Sequence, residues 1–518
     1  MTQESNPDRS LLPGKILVWF SAVALLILLV CSWSMPPVDA SGFRQTQTAL
    51  SIDWLLRGGP WLDYVTPVLG APWSIPFEFP FYQWLAALLS SITGMSADNS
   101  GRLVSTVFHV GCIWLVYRTL LAWRPDRTLA LCVAGAFAVS PYAQFWGRSV
   151  MMESSAVFFG LLFVWAMARL RSQPRAWVGL VAIVAAVLSA AIKVTSFFGF
   201  AAFVALAFLW LALREHGWRP QWLLQHWRLL FWGGLSALAV LATLSLWLQH
   251  ADALKAQSAL GQHITSDALS AWNYGTLQQR LDPATWWGTV FKKRFSGAIG
   301  SNWIFLIFVI AGLWQKRTRV AVGILLLAYL APFLVFTNLH IAHPYYQAAN
   351  IVFATSIIGL VLWSTVLAAE AAGKPRRGVA LAIFLCVLSV GFGLVKSLKD
   401  IREARQPTPV SQIAEAIRAG TTAQGVVVAF GQDWSSELPY FSGRRAVMIP
   451  DWASDDVLAS LAADDAALGG LPLAALVNCP NQLGSSPERV QWLAEITRRY
   501  AAGGQKQELG GCEVWLHP

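Results

Sequence analysis

Charge is what this sequence most lacks. Only 13% of its 518 residues are Asp, Glu, Lys or Arg, against the roughly 25% typical of soluble globular chains. That shortage excludes a soluble enzyme, and equally a disordered chain, which relies on charged and polar residues to stay solvated. Cysteine is scarce too. Six cysteines in a chain this long cannot build a disulfide scaffold, and none stands at a Cys/His spacing that would suggest a metal site. No internal repeat or low-complexity tract is present. What fills the chain is apolar: 56% of residues are hydrophobic and the mean hydropathy is +0.50. Apolar stretches near the ~20 residues needed to cross a bilayer occur at about 16–35, 102–122, 128–146, 154–170, 176–192, 195–213, 229–249, 299–314, 320–337, 345–368 and 378–396. This reads as a membrane protein with about eleven spans.

The charges that remain are unevenly placed. Residues 397–518 hold ten Lys and Arg against fourteen Asp and Glu, a net −4, so the preceding residues carry +14 and the total is +10. A pI near 9.5 therefore reflects loops between apolar runs and not a nucleic-acid surface; the positive-inside rule explains it. With the N-terminus in the cytoplasm, the inner loops contain Arg124 and Arg127; Arg169, Arg171 and Arg175; Arg214, Arg219 and Arg228; Lys316, Arg317 and Arg319; and Lys374, Arg376 and Arg377. Every short inner loop is basic. The first span follows a polar start with Arg9 and Lys15 and lacks a clear Ala-x-Ala site, so it reads as a retained anchor and not a cleaved signal.

On this topology the outer side receives residues 36–101, residues 250–298 and the C-terminal tail. Residues 79–95 are apolar enough to span, but counting them would put every later basic loop outside. A helix lying in the outer interface, with Tyr82 and Trp84 at headgroup level, avoids that conflict. Residues 45–57 look similar, with Ala49, Ile52, Trp54 and Leu55 near one face. The expected domains are a transmembrane domain over 1–396 and a non-cytoplasmic domain over 397–518. In the latter, a helix at about 410–419, a strand Val426–Phe430, a loop through Asp433–Pro450, a helix at about 486–502 and a last strand ending near Trp515 suggest a small α/β fold. Cys31, Cys112, Cys132 and Cys386 fall in spans, as small core residues. Cys479 and Cys512 fall in the tail, where a disulfide and two free thiols are both open readings.

Ionisable groups near a membrane surface are costly and therefore informative. They gather at the outer ends of the spans. The loop after the first span reads PPVDASGFRQTQTALSIDWLL and then YVTPVLGAPWSIPFEFPFYQW; the third span exits through SPYAQFWGRSVMMES; Lys193 ends the fifth; NLHIAHPYYQ opens the tenth. In this order, an outer loop, a Glu-x-Pro-x-Tyr-x-Trp segment, Gly-Arg…Met-x-Glu and then Lys, the chain resembles the GT-C membrane glycosyltransferases over about 36–350. Within them it is most similar to the protein mannosyltransferase-like branch, family 39, which includes the lipid A aminoarabinose transferase. The tail (GQDWSSELPYFSGRRAVMIP) is more weakly similar. The resemblance implies an all-α polytopic bundle of the GT-C type with outer interfacial helices and a small α/β tail. It also implies a bacterial inner-membrane enzyme that moves a sugar from a polyprenyl-phosphate carrier to a glycan, lipid or protein acceptor on the periplasmic side, with inversion at the anomeric carbon.

Such chemistry asks for a carboxylate to orient or deprotonate the acceptor hydroxyl and for cations on the departing phosphate. The family's Asp-Glu pair in the first outer loop is absent as a pair, and its role carries by position to Asp39, with Glu78 second. Glu78-Phe79-Pro80 stands where relatives often have Lys-Pro-Pro after the Glu. Arg44, Arg148, Lys193 and His343 are the candidates for phosphate, and Gln45, Tyr82, Glu153 and Tyr345 complete the substrate-binding set. Metal use stays open: Asp39, Glu78 and Glu153 are hard ligands suited to a divalent ion, and no spacing forces a site. Structural readings compete at each position: solvation for Asp39, solvation or helix capping for Asp53 and Asp63, ion pairs Glu78–Arg44 and Glu153–Arg148, snorkelling for Lys193, and an aromatic belt for His343-Pro344-Tyr345-Tyr346. His340 reads as structural, Asp433, Arg444 and Arg445 as loop-shaping, and Lys292-Lys293-Arg294 as facing lipid headgroups, with capture of the donor phosphate as the alternative. The alternative function is a transporter or flippase of a lipid-linked sugar, which would usually show paired broken helices and internal repeats. A scaffold would leave the rim of charged residues unexplained.

Overall fold

The computed structural model describes residues 7–217, 221–480 and 486–518; Arg219, one of the inner-loop basic residues, lies outside them. The chain divides into two compact units. The first comprises Met1–Ser34, Arg102–Ser245 and Ala271–Asp400; the second comprises Met35–Gly101, Leu246–Ser270 and Ile401–Pro518.

The first unit is all helical. Over the whole chain, seven helices among the described residues are long and apolar enough to cross a membrane, or eight if the bent pair Thr285–Ala298 and Asn302–Trp314 forms one span. The eleven apolar stretches of the sequence map onto fewer long helices for three reasons. The stretches at 176–192 and 195–213 form one run, Ala176–His216, in which two helices meet at a kink. It breaks at Lys193, whose backbone leaves helical geometry (φ −162°, ψ 93°). The stretch at 128–146 is interrupted after Ala138 and resumes as Pro141–Trp146. The stretch at 320–337 is a 17-residue helix, Arg319–Val335.

Helices such as these are apolar all round, so close approach decides their packing. Helix Arg127–Ala138 shows how. A Cβ on Gly135 would fall 2.7 Å from Leu17 Cβ, and one on Gly359 would fall 2.4 Å from Val133 Cα. Glycine at these positions lets helix Pro7–Ser32 and helix Gln347–Ala371 close on it. Cys112, Cys132 and Cys386 are buried in this unit and Cys31 is half-buried, as small core residues should be. The outward faces are apolar: Trp314 is 87% exposed and Ile307 62%. That is the surface of an integral membrane protein.

The second unit is built on a five-stranded mixed sheet: β1 (Val426–Phe430), β2 (Arg445–Ile449), β3 (Leu473–Asn478), β4 (Gln505–Leu509) and β5 (Cys512–Leu516), in the order β2-β1-β3-β5-β4. The first three are parallel, and β5 runs antiparallel to both β3 and β4. β1 is buried along its whole length, as a parallel central strand covered on both faces must be. The β4–β5 hairpin turns through Gly510 and Gly511, both at positive φ, which such a two-residue turn requires. Helices Pro409–Gly420, Asp455–Ala463 and Pro487–Ala501 flank the sheet, started by Thr408, Ser454 and Ser486 side chains that cap their first turns.

Two expectations for the tail change. The segment 433–450 is not one loop: it contains helix Glu437–Ser442 and strand β2. Nor does the tail stand alone. Residues 67–70 of the outer loop bond to the free edge of β2, with Ala446 N donating to Pro67 O (2.9 Å), Met448 N to Val68 O (2.8 Å) and Gly70 N to Ala446 O (3.1 Å). This covers an edge that would otherwise be open to pairing. Ser258 Oγ donates to Leu69 O (2.8 Å), and Leu260 and Ile264 join the same core, so the outer loop 250–298 divides between the units at Ser270. Cys479, just after β3, is disulfide-bonded to Cys512 at the start of β5.

Candidate active-site groups

In the second unit the chain enters helix Gly42–Leu56 through Ala40 and Ser41, both at positive φ (39° and 61°). Gln45 secures this tight entry. Its Nε2 donates to Asp39 O (2.8 Å), Asp39 Oδ1 (3.1 Å) and Ala40 O (3.1 Å), and the Asp39 side chain is buried. Asp39 is thus held by the fold, unlike a solvated loop acid. One turn on, Arg44 donates to Gln47 Oε1 and, as an ion pair, to Glu78 Oε1. This is the Arg44–Glu78 pair that competes with a catalytic reading of Glu78.

Tyr64, which sequence reasoning passed over, supports that pair from below. Its hydroxyl donates to Glu78 O (3.1 Å) and accepts from Phe77 N (3.1 Å), and burial pushes its pKa up, with the Glu78 charge adding to the effect. A lone tyrosine between loop residues carries no sequence signal of such a role. The tail reaches the same place: Ser436 Oγ donates to Phe43 O (2.7 Å) and lies 2.9 Å from Thr46 Oγ1, while the Trp434 ring packs on Phe43 and Phe77 with centroids 5.0 and 5.8 Å away. Tyr82 is fully buried and donates to Gly101 O (2.8 Å), so its ring faces protein. Asp53 pairs with Arg57 and Asp63 with His250, both at 2.7 Å; neither is simply solvated. Arg444 donates to the carbonyls of Ser442, Arg418 and Thr421, a loop brace.

In the first unit the turn Gly147–Met152 follows helix Pro141–Trp146 and is pinned by Ser105, whose Oγ donates to Ser149 O (2.6 Å) and Met151 O (3.1 Å). The turn carries Arg148, fully buried, with its guanidinium 5.1 Å from the Phe145 ring centre. Glu153 opens helix Glu153–Ser172, where a carboxylate is favoured by the helix dipole. It forms a buried ion pair with Lys193. The Lys193 ammonium is 4.6 Å from the centres of both the Tyr345 and Tyr346 rings. Lys193 therefore does not snorkel: it is enclosed by protein at the helix break. The ion-pair reading of Glu153 holds, with Lys193 as a partner.

His343 stacks on Tyr345 (5.1 Å, 17° between planes) in the 3₁₀ turn that starts helix Gln347–Ala371. Trp146 lies edge-on to Tyr345 at 6.3 Å. The unit thereby gathers the turn after Trp146, the Lys193 break and the His343–Tyr346 turn in one place. His340 is buried, its Nδ1 2.9 Å from Gln347 Nε2, while Arg294 donates to the carbonyls of His340 (3.1 Å) and Ile341 (2.6 Å). These bonds support its structural reading. Among the described residues, no three His, Cys, Asp or Glu side chains gather as a metal-binding set.

This architecture, a polytopic helical bundle with a small mixed sheet, is the GT-C fold of membrane glycosyltransferases. No protein-family model matches the chain, and no curated protein matches it in sequence. Solved structures do. The chain is similar to ArnT from Cupriavidus metallidurans bound to undecaprenyl phosphate, with a TM-score of 0.64 at 13% identity over 96% of this chain and 97% of that one. It is also similar to the archaeal oligosaccharyltransferase AglB from Archaeoglobus fulgidus in complex with an inhibitory peptide and a dolichol-phosphate (0.52, 12%, covering 89% and 69%). The arabinofuranosyltransferase AftD from Mycobacteria is a third (0.50, 16%, covering 97% and 41%).

Proposed function

We propose that this protein is an integral membrane glycosyltransferase that transfers a sugar from a polyprenyl-phosphate carrier to an acceptor on the periplasmic side of a bacterial inner membrane. The observation that carries this reading is the end-to-end likeness to a protein solved with undecaprenyl phosphate. In the step proposed, the acceptor oxygen bonds to the anomeric carbon while the bond from that carbon to the carrier's phosphate oxygen breaks. The electron pair leaves with polyprenyl phosphate, and the acceptor proton goes to a carboxylate. Asp39 is the proposed base. Its support is the Gln45 clamp that fixes its direction, while the charge of Glu78 is already matched by Arg44. Arg148 is the proposed phosphate cation, since guanidinium suits bidentate contact with phosphate. Lys193, neutralised by Glu153, holds Tyr345 and Tyr346 in place beside it. His343 and Tyr345 are proposed to line the sugar or phosphate. The basic inner loops support a cytoplasmic N-terminus, and a bonded Cys479–Cys512 pair suits an oxidising compartment for the tail.

The test uses purified protein, a panel of polyprenyl-phosphate sugars and a cell-envelope extract as the acceptor source. Release of free polyprenyl phosphate that requires the extract is expected. No release with any donor, together with passage of a labelled polyprenyl-linked sugar across proteoliposomes, would replace this reading with the flippase. For orientation, a cysteine at Ser435 should react with an impermeant reagent from outside and one at Arg376 should not.

A further inference from the structure

Just before helix Asn302–Trp314, the chain shows a surface suited neither to a protein core nor to open water. Leu277 and Leu281 are 68% and 71% exposed, and Trp287 and Trp303 are each more than half exposed. The π-helical turns Thr285–Arg294 bring Trp287 face to face with Phe291 (4.7 Å, 16° between planes), and Trp303 closes edge-on against both rings at 6.1 and 4.9 Å. Lys292 and Lys293 are exposed beside this stack. The Lys292 ammonium is 5.7 Å from the Trp287 ring centre, and among the described residues neither lysine has an acidic partner. The third basic residue of the run points the other way: Arg294 is buried and bonded to the carbonyls of His340 and Ile341. That anchor holds the lysines and the stack on a fixed piece of the bundle.

We propose that this segment, residues 277–303, is a binding site for the headgroup of an anionic glycerophospholipid of the surrounding bilayer. The occupant follows from what the surface needs covered. Exposed leucines and indole rings are satisfied at the boundary of acyl chains and headgroups, and two adjacent unpaired ammonium groups require negative charge there. A soluble anion or an acidic protein meets only the second need, and a zwitterionic lipid only the first. On the proposed orientation the lysines lie outside, where topogenesis does not account for them. The site goes beyond the transfer reaction and does not depend on it.

The test is photolabelling of the full-length protein in nanodiscs containing trace photoactivatable phosphatidylglycerol or phosphatidylcholine, with labelled peptides mapped by mass spectrometry. Phosphatidylglycerol should label 277–303 roughly ten- to thirtyfold more than phosphatidylcholine, the upper figure being the full effect of two surface lysines on one lipid charge. The ratio should fall to between one and two in the Lys292→Gln/Lys293→Gln variant, survive in Lys292→Arg/Lys293→Arg, and shrink in wild type as salt is raised. Unchanged labelling of helix Arg376–Ala404 serves as the folding control. Equal labelling of the segment by the two lipids in wild type overturns the proposal, as does a preference that survives the glutamine substitutions. Displacement by equimolar undecaprenyl phosphate would also overturn it, because the site would then belong to the carrier.

Discussion

The two units handle charge in opposite ways. In the helical unit, Glu153, Lys193, Arg148 and Arg294 are all buried, each held by a backbone turn or a partner from a distant part of the chain. In the sheet unit, most pairs lie at the surface, such as Arg489–Asp455 and Arg499–Asp465 at 2.7 and 2.8 Å. The difference follows from the solvent. A helix in lipid gains nothing from an outward charge and must turn it inward against a partner, whereas a soluble face screens its pairs and gains little from them. A surface pair in the second unit is therefore no pointer to function, whereas a buried charge in either unit, Asp39 included, calls for a reason.

The comparison can be broken at several points. Removing one partner of the buried pair, by Glu153→Gln or Lys193→Met alone, should cost about 3–5 kcal/mol of stability because the other charge is left buried. The double substitution should recover much of that loss, read as thermal unfolding of the detergent-solubilised protein. Equal destabilisation by the single and double variants would remove the pair from the account. Replacing Cys479 and Cys512 by serine opens a loop of sequence separation 33 and should cost the second unit about 3–4 kcal/mol, seen as proteolysis of the tail with the helical unit intact. At the surface, Arg489→Ala should cost no more than about 1 kcal/mol.

The smallest effect concerns pH. Burial raises the pKa of the Glu437 carboxyl, so the folded state binds that proton more tightly than the unfolded state. Its contribution is harmless below its ordinary value of 4.5 and becomes a penalty as pH rises through the raised value. Glu437→Gln should therefore raise the melting temperature of the second unit slightly at neutral pH and leave it unchanged at acid pH. A gain only at low pH would contradict this sign.

How much of this was legible depended on the kind of signal. Strand β1 was readable because five consecutive apolar residues bounded by Gly425 and Gly431 leave few alternatives, and the helices at about 410–419 and 486–502 were placed closely, whereas helix Asp455–Ala463 and strands β3 and β4 went unread. Strand β2 was hidden because the six-residue helix before it and the arginines at its start dilute its apolar run. The break at Lys193 was visible as a charged residue between apolar stretches, and the structure has it as a kink between two helices. The residues that mattered in the helical unit stood out by their cost in lipid; the Lys193–Glu153 pair did not, because the two residues lie far apart in the sequence until the backbone brings them together. Gln45 was noticed from its place in the outer loop, while Tyr64 and Ser436 act through single bonds to distant carbonyls that no pattern encodes.

The account turns on Asp39 acting as a base in sugar transfer from a polyprenyl-phosphate carrier. The most direct test is single-turnover release of polyprenyl phosphate by wild type and Asp39→Asn, with carrier binding measured on the same samples. Asparagine keeps the shape and can still accept from Gln45 Nε2, so binding should stay within about twofold while the rate falls by roughly 10²–10⁴-fold, the range of a lost general base. Near-normal release by Asp39→Asn, with release lost in Glu78→Gln, would contradict the account and move the base to Glu78.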